Sequence, residues 1–346
     1  MPKVDIKKIA SKAGVSTATV SRTLNGKGPV RETTRQKVLE VAKEYNYKPN
    51  SIARGLSRQK TDTIGVILPE LVDEFFMKLI HTIDEAAYKA NRYVMISSSH
   101  SQRNVVETLM EFMNSGRVDG VILMAPQVID DELLRLINQG RRPLVLLNAP
   151  KTLKNCVSFK IDNYQGAMAV VEHFIGHGYR KTGMIKGPEG NCDADERFAG
   201  YVETLQKHDI PFIENFSISG DFTHKSGYYG FMRLMSQAEK PEAIFVANDM
   251  MALGAYEAAK ASRINIPGDV AIAGFDNIFL SKLLFPRLTT VHAPINELGT
   301  KAVRYLLKMI SGEEDPDKPF REHLSTGLVI GESCGCKIEH SESHFL

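Results

Sequence analysis

Between residues 63 and 273 short apolar segments recur, and helix-length amphipathic stretches separate them. Thr63-Ile-Gly-Val-Ile-Leu68, Tyr93-Val-Met-Ile-Ser97, Asp119-Gly-Val-Ile-Leu-Met124 and Pro143-Leu-Val-Leu-Leu147 make a first run, with helical periodicity from about Asp73 to Ala90 after its opening strand. After Asp162 a second run is expected: helix 163–176, strand 182–186, helix 194–208, helix 224–237, strand 242–247, helix 249–261 and strand 269–273. A strand apolar on both faces has to be covered on both faces, which parallel sheets flanked by helices achieve. Two such runs predict two α/β subdomains.

The pattern ahead of Thr63 is different. Ile6, Ile9, Ala10 and Ala13 recur at the spacing of one helix face, with Asp5 placed to cap its start. Gly14 is expected to stop that helix, since the turn needs a residue tolerant of positive φ. Ser16 can cap a second helix whose buried side is Val20 and Leu24, leaving Thr17, Ala18, Ser21 and Arg22 on the other side. Two short helices joined by a Gly turn predict a helix-turn-helix, whose second helix fits the major groove of DNA. A third helix is expected from about Glu32 to Tyr45, with Val38, Val41, Ala42 and Tyr45 inward. Pro49 then breaks the preceding helix, and Asn50 or Ser51 can cap a short helix reaching Leu56, too short and too polar to be stable alone.

Charge supports this division. Residues 1–60 hold 14 Lys and Arg against 4 Asp and Glu, a balance of +10, and the remaining residues hold 29 against 37, a balance of −8. The basic part seeks a polyanion and the rest does not. No apolar run approaches the ~20 residues of a membrane span, and the N-terminus opens polar, so a cytoplasmic protein without a signal peptide is expected.

Open parallel sheets bind ligands beyond the carboxyl ends of their strands. There the chain carries Glu70, Asp73, Phe75 and Phe76, then Asn148, Asn248 and Asp249, and Asp276 and Asn277. Asp162 lies at the junction of the two runs and Arg197 follows strand 182–186. Carboxylates, amides, one Arg and ring faces suit a polyhydroxylated small molecule. Asp and Asn after strands also commonly cap helices, and that is the expectation for Asp249. Arg197 and Asp276 are favoured as ligand contacts, since nothing local asks for them.

The four cysteines are too few and scattered for a disulfide framework. Cys334-Gly-Cys336 has no second pair at zinc-ligand spacing. His173 and His177 with Cys192 lack the carboxylate of an H-E-x-x-H arrangement, so no metal and no cofactor is expected. No G-x-G-x-x-G follows the first strand, and no P-loop or G-x-S-x-G stands in the chain, so no enzyme is expected.

Ile6-Lys-Lys-Ile-Ala-Ser-Lys-Ala-Gly-Val-Ser-Thr-Ala-Thr-Val-Ser-Arg-Thr-Leu-Asn25 closely resembles the signature of the LacI/GalR family of bacterial transcription regulators. Asn50-Ser-Ile-Ala-Arg-Gly-Leu56 resembles that family's hinge helix. Asp119-Gly-Val-Ile, Asp162-Asn, Gly178-Tyr-Arg, Arg197-Phe-Ala-Gly-Tyr, Asn248-Asp-Met-Met-Ala-Leu-Gly and Gly274-Phe-Asp-Asn match its core.

The resemblance implies an all-α helix-turn-helix domain over 1–49, a hinge helix and linker over 50–61, and a periplasmic-binding-protein-like core over 62–346. In that core an N-subdomain would take about 62–161 and 292–322 and a C-subdomain about 163–291 and 324–346, with crossovers near 161–163, 291–293 and 322–325 and a helix from about Glu297 to Ile310. It also implies a homodimer, or a dimer of dimers, on a pseudo-palindromic operator, most readily a repressor.

Thr17, Ala18 and Arg22 would face base edges, and Ser16, Thr19, Ser21 and Asn25 would hold phosphates. Ala53 and Leu56 would enter the minor groove, Leu56 as a kinking wedge. The effector would meet Arg197 and Asp276, with Asp73, Phe75, Asn148, Asp162, Phe222 and Asn248 lining the cleft. With no Trp in the chain, ring stacking falls to Phe75 or Phe222. A sugar or sugar derivative is the first expectation for the effector. A purine corepressor and a phosphocarrier protein bound on the core surface, as in catabolite-control relatives, are the alternatives.

Overall fold

In the computed structural model the described residues are 5–24, 28–47, 60–69, 73–98, 105–124, 135, 142–150, 156–316 and 318–337. The chain divides into two compact units, Met1–Asp62 and Thr63–Leu346.

The first unit holds α1 (Ile6–Ala13), α2 (Thr17–Leu24) and α3 (Glu32–Glu44). The Asp5 carboxylate accepts from the Lys8 amide at 2.9 Å and caps α1. Gly14 closes it at φ +66°, where its N–H satisfies carbonyls of the last turn. Ser16 Oγ accepts from the Thr19 amide at 3.2 Å and starts α2. Ile9, Ala10, Ala13, Val20 and Val38 make the buried core, with Tyr45 and Tyr47 packed around it. Thr23 is also buried, whereas Leu24 is half-buried. Helices of eight residues are marginal alone, so these are held by one another's apolar faces.

The second unit is two α/β lobes. The first sheet has β1 (Thr63–Leu68), β2 (Tyr93–Ser98), β3 (Gly120–Met124), β4 (Leu144–Leu147), β5 (Val157–Ile161) and β11 (Phe320–Leu324), in the order β11-β5-β4-β3-β1-β2 and parallel throughout. The second has β6 (Thr182–Lys186), β7 (Ser217–Ser219), β8 (Ala243–Val246), β9 (Ala271–Asp276), β10 (Thr289–His292) and β12 (Gly327–Val329), in the order β12-β10-β9-β8-β6-β7. Only its edge strand β12 runs antiparallel among these pairs. The central strands β3 and β8 are buried along their whole length, as their apolar runs require.

Helices α4 (Glu74–Lys89), α5 (Val105–Asn114) and α10 (Ile295–Ser311) pack on the first sheet, and α6 (Asn163–Gly176), α7 (Cys192–Lys207), α8 (His224–Met235) and α9 (Asp249–Ser262) on the second. The chain passes between sheets three times: from β5 into α6, from β10 into α10, and from β11 into β12. No described helix is long and apolar enough to cross a membrane.

Several boundaries differ from the sequence pattern. Strand 269–273 is displaced to β9, because the Asp269 carboxylate accepts from the Asn265 amide at 2.7 Å and holds a turn there. Asp276 therefore ends a strand instead of following one. Helix 194–208 starts earlier, at Cys192, because the Asn191 side chain accepts from the amides of Asp193 and Ala194.

Candidate functional site

In each sheet the strand order reverses beside one strand. β1 lies between β2 and β3, and β6 lies between β7 and β8. Loops leaving adjacent strands diverge at such a point and leave a crevice beyond the carboxyl ends. Here the two crevices meet in one cavity of about 480 Å³. Pro69, Asp73, Phe75 and Phe76 enter it after β1, and Met124 from the end of β3. Pro188, Asn191, Asp193 and Arg197 enter after β6, Asp221 to Lys225 after β7, Asn248 and Met250 after β8, and Asp276 from the end of β9.

Arg197, on α7, is 5% exposed. Its Nε donates to Asn163 Oδ1 at 2.8 Å, Nη1 donates to the Ala247 carbonyl, and Nη2 lies 3.4 Å from Asp276 Oδ1. Three of the guanidinium's five N–H donors are thus spent on described partners. Its plane rests 3.7 Å from the centroid of the Phe275 ring and 5.7 Å from that of Phe222. The fork is locked before any ligand arrives.

Carboxylates crowd this cation. Asp276 is also 5% exposed and sits at φ +109°, backbone that costs a non-glycine residue strain. Burial pushes its carboxyl well above the usual range, Arg197 opposes that, and Asp249, Asp73 and Asp193 add to it. Asp193 accepts from Asn148 Nδ2 at 2.8 Å and from Asn163 Nδ2 at 2.9 Å. Burial raises it to about 6, against the pull of Arg197 and Lys160.

Of the expected effector residues, Arg197, Asp276, Asp73, Phe75, Phe222 and Asn248 all line the cavity. Asp73 and Asn248 serve also as caps, accepting from the Phe76 amide at 3.0 Å and the Met251 amide at 2.9 Å. Asn248 Nδ2 donates to the Phe222 carbonyl and so fixes that ring's loop. The Phe222 ring lies so close over Gly187 that a Cβ there would meet it at 2.4 Å.

Asn148 and Asp162 are not among the lining residues. Asn148 is buried behind Asp193 and takes the Ile161 amide on its Oδ1, while Asp162 caps α6 through the Gln165 amide. Asp249 is not the cap that its position suggests, because Asn248 has that role. It lies fully buried instead, accepting from Thr290 Oγ1 at 2.6 Å and the Ile278 amide at 3.0 Å.

Asp193, Asn163, Asn191 and Asp221 were passed over in the sequence because each resembles an ordinary residue of a helix start or loop. The signal was the carboxyl-end rule itself, applied to the whole loop after β6 and not to Arg197 alone.

On α2, Thr17, Ala18 and Arg22 are exposed on the helix surface, Thr19 and Ser21 are half-buried, and Ser16 is exposed at its start. Ser16 Oγ lies 3.0 Å from Thr19 Oγ1, so these two hydroxyls are already partners at the helix start. Asn25, Ala53 and Leu56 lie outside the described residues.

Residues 5–50 match the family described as bacterial regulatory proteins, lacI family, and residues 171–334 match a periplasmic binding protein-like domain. Catabolite control protein A of Priestia megaterium is 34% identical over 90% of this chain and 93% of its own length. The probable HTH-type transcriptional repressor ExuR of Bacillus subtilis (strain 168) is 34% identical over 92% and 96%. Among solved structures, the lac repressor dimer bound to operator and the anti-inducer ONPF superposes with a TM-score of 0.85, at 27% identity over 96% of this chain and 99% of that one. The complex of the transcriptional regulator CelR with cellobiose gives 0.72, at 28% identity over 96% and 100%.

Proposed function

The chain belongs to the lacI family of bacterial regulatory proteins, and from that premise we propose that its operator affinity is set by a neutral, polyhydroxylated small molecule held at Arg197, Asp193 and Asp276. It is a DNA-binding transcriptional regulator of a family of repressors that act as dimers on operator DNA. Such a protein works by binding and not by turnover, and its place is the cytoplasm, where the operator is.

The observation that carries the effector reading is the balance of charge in the cavity. Asp73, Asp193, Asp221 and Asp276 face it with Arg197 and Lys225. Anionic effectors would add charge to an already acidic lining. A sugar hydroxyl donates to a carboxylate and accepts from a guanidinium, so adjacent hydroxyls satisfy both at once, and Phe75 and Phe222 offer ring faces to the C–H side of a pyranose. CelR, solved as a complex with cellobiose, supports that class.

The residues on α2 carry the DNA half. Arg22 would reach a base edge, with Thr17 and Ala18 making close apolar contact beside it and Ser16, Thr19, Ser21 and Asn25 holding phosphates. Ala53 and Leu56 would serve the hinge in the minor groove. Domain roles follow the same division: residues 1–49 for DNA, 50–61 for the hinge, and 62–346 for the effector and dimer.

A thermal-shift screen of neutral sugars, uronates and nucleobases against wild type and Arg197→Ala tests the effector. At least one neutral sugar should raise the wild-type midpoint, and Arg197→Ala should abolish the rise. A uronate or nucleobase acting alone would refute the charge argument.

A further inference from the structure

The last turn of α6 carries His173, its C-cap is His177 one turn on, and the segment after β12 carries Cys334-Gly-Cys336. More than 150 residues separate the two pairs, so no spacing motif announces them. The fold brings them together. His177 Nε2 lies 3.1 Å from Cys336 Sγ, and His173 Nε2 lies 3.8 Å from the same sulfur. One donor atom from each of the four residues lies within 4.8 Å of every other. Among the described residues this is the one such group of histidine, cysteine and carboxylate side chains.

We propose that His173, His177, Cys334 and Cys336 form a tetrahedral binding site for a divalent zinc ion. Zn–S bonds of about 2.3 Å and Zn–N bonds of about 2.0–2.1 Å at tetrahedral angles put neighbouring donor atoms roughly 3.3–3.8 Å apart. The observed separations bracket that range, so small side-chain rotations complete the geometry. Two thiolates and two imidazoles are the donor set that selects zinc among common divalent ions. Two thiolate charges neutralise the ion, which makes a half-buried position tolerable. On binding, the two thiol protons pass to solvent and no electron is transferred.

The surroundings suit a ligand set. Cys334 is fully buried and its sulfur accepts from Thr289 Oγ1 at 3.0 Å, a donor that orients and steadies a thiolate. The turn between the cysteines runs through Gly335 at φ +94°, with the Tyr179 hydroxyl donating to the Cys334 carbonyl at 3.2 Å. Tyr179 also stacks on His177, its ring 6.1 Å away and 19° from parallel, which limits the imidazole's rotation. His177 is exposed and gives the ion a path in. Cys192 takes no part: its sulfur donates to the Asn148 carbonyl beside the cavity.

Four protein ligands leave no open position, so the ion is structural. It fastens the segment after β12, already paired to β9 through the Ile272 amide and the Ser333 carbonyl, onto the helix that opens the second lobe.

The full-length protein, stripped with a chelator under reducing conditions and dialysed against zinc or cobalt, tests this by elemental analysis and visible absorption. One equivalent per chain and the intense d–d bands of a tetrahedral cobalt thiolate are expected. Cys336→Ser and His177→Ala, at positions that are not fully buried, should each lower retained metal at least tenfold and remove those bands, with circular dichroism unchanged. Zinc should also slow alkylation of Cys336 in the wild type. Less than about a tenth of an equivalent bound, equal binding by both variants, or a weak octahedral cobalt spectrum would overturn the site. A Cys334–Cys336 disulfide that forms equally with and without zinc would also overturn it.

Discussion

Asp249 is a carboxylate buried where neither a helix cap nor a ligand asks for it. It ties the Thr290 hydroxyl of β10 to the Ile278 amide, and burial pushes its carboxyl up to about 7. An unfolded aspartate titrates near 3.9. Between those values the native chain keeps a proton that the unfolded chain has released, so stability is full below about pH 4 and declines as pH rises through 7. Asp193, at about 6, acts in the same direction over a narrower window. Asp249→Asn mimics the protonated form and should flatten the fall in denaturation midpoint between about pH 5 and 8. The wild type should lose on the order of a few kcal/mol over that range. Parallel pH profiles for the two proteins would show that the proton sits elsewhere. None of this was legible in the sequence, where Asn248-Asp249 reads as two equivalent capping candidates. Which one caps and which is buried depends on β10, some forty residues away.

At the scale of elements the sequence spoke clearly where local chemistry decides. Asp5, Gly14 and Ser16 set the ends of α1 and the start of α2 by contacts within a few residues. The strands it concealed are those whose pattern is not uniformly apolar. β5 is buried along its length yet carries Ser158 and Lys160, the latter 2.9 Å from Glu196 of the other lobe. β11 lies at a sheet edge and reads Phe-Arg-Glu-His-Leu, polar where it meets solvent. The second helix of the helix-turn-helix, α2, was legible for the opposite reason: its exposed face is small and polar except for one long side chain. Arg22→Ala should cost roughly 1–3 kcal/mol of operator binding and relax selectivity at one base pair. Unchanged discrimination in a titration with base-substituted operators would remove Arg22 from that role.

For the whole molecule, the question is how an event in the cavity reaches the lobes that hold it. Among the described residues three side-chain pairings span them near the cavity level, Asn148 with Asp193 and with the Cys192 thiol, Lys160 with Glu196, and the Glu74 carboxylate with the amides of Phe279 and Leu280. The first two lie beside the crossing at β5, where the chain itself ties the lobes together. The third stands at the start of α4, next to Asp73 and Phe75 at the cavity and away from that crossing, so a separation of the lobes about the crossing would break it. A ligand shifts the balance between open and closed forms only through contacts that differ between them. Glu74→Ala removes such a contact without touching a lining residue, so it should weaken effector binding roughly three- to tenfold, the factor that about 0.7–1.4 kcal/mol of lost hydrogen bonding amounts to. Linkage makes the same event visible from the DNA side. Whatever factor the effector applies to operator affinity, saturating operator must apply to effector affinity. Calorimetric titration of the effector with and without operator measures that factor directly. If Glu74→Ala lowers effector affinity equally in both titrations, the closing of these lobes and the release or capture of DNA are separate events. If it changes the ratio, the latch is part of the switch.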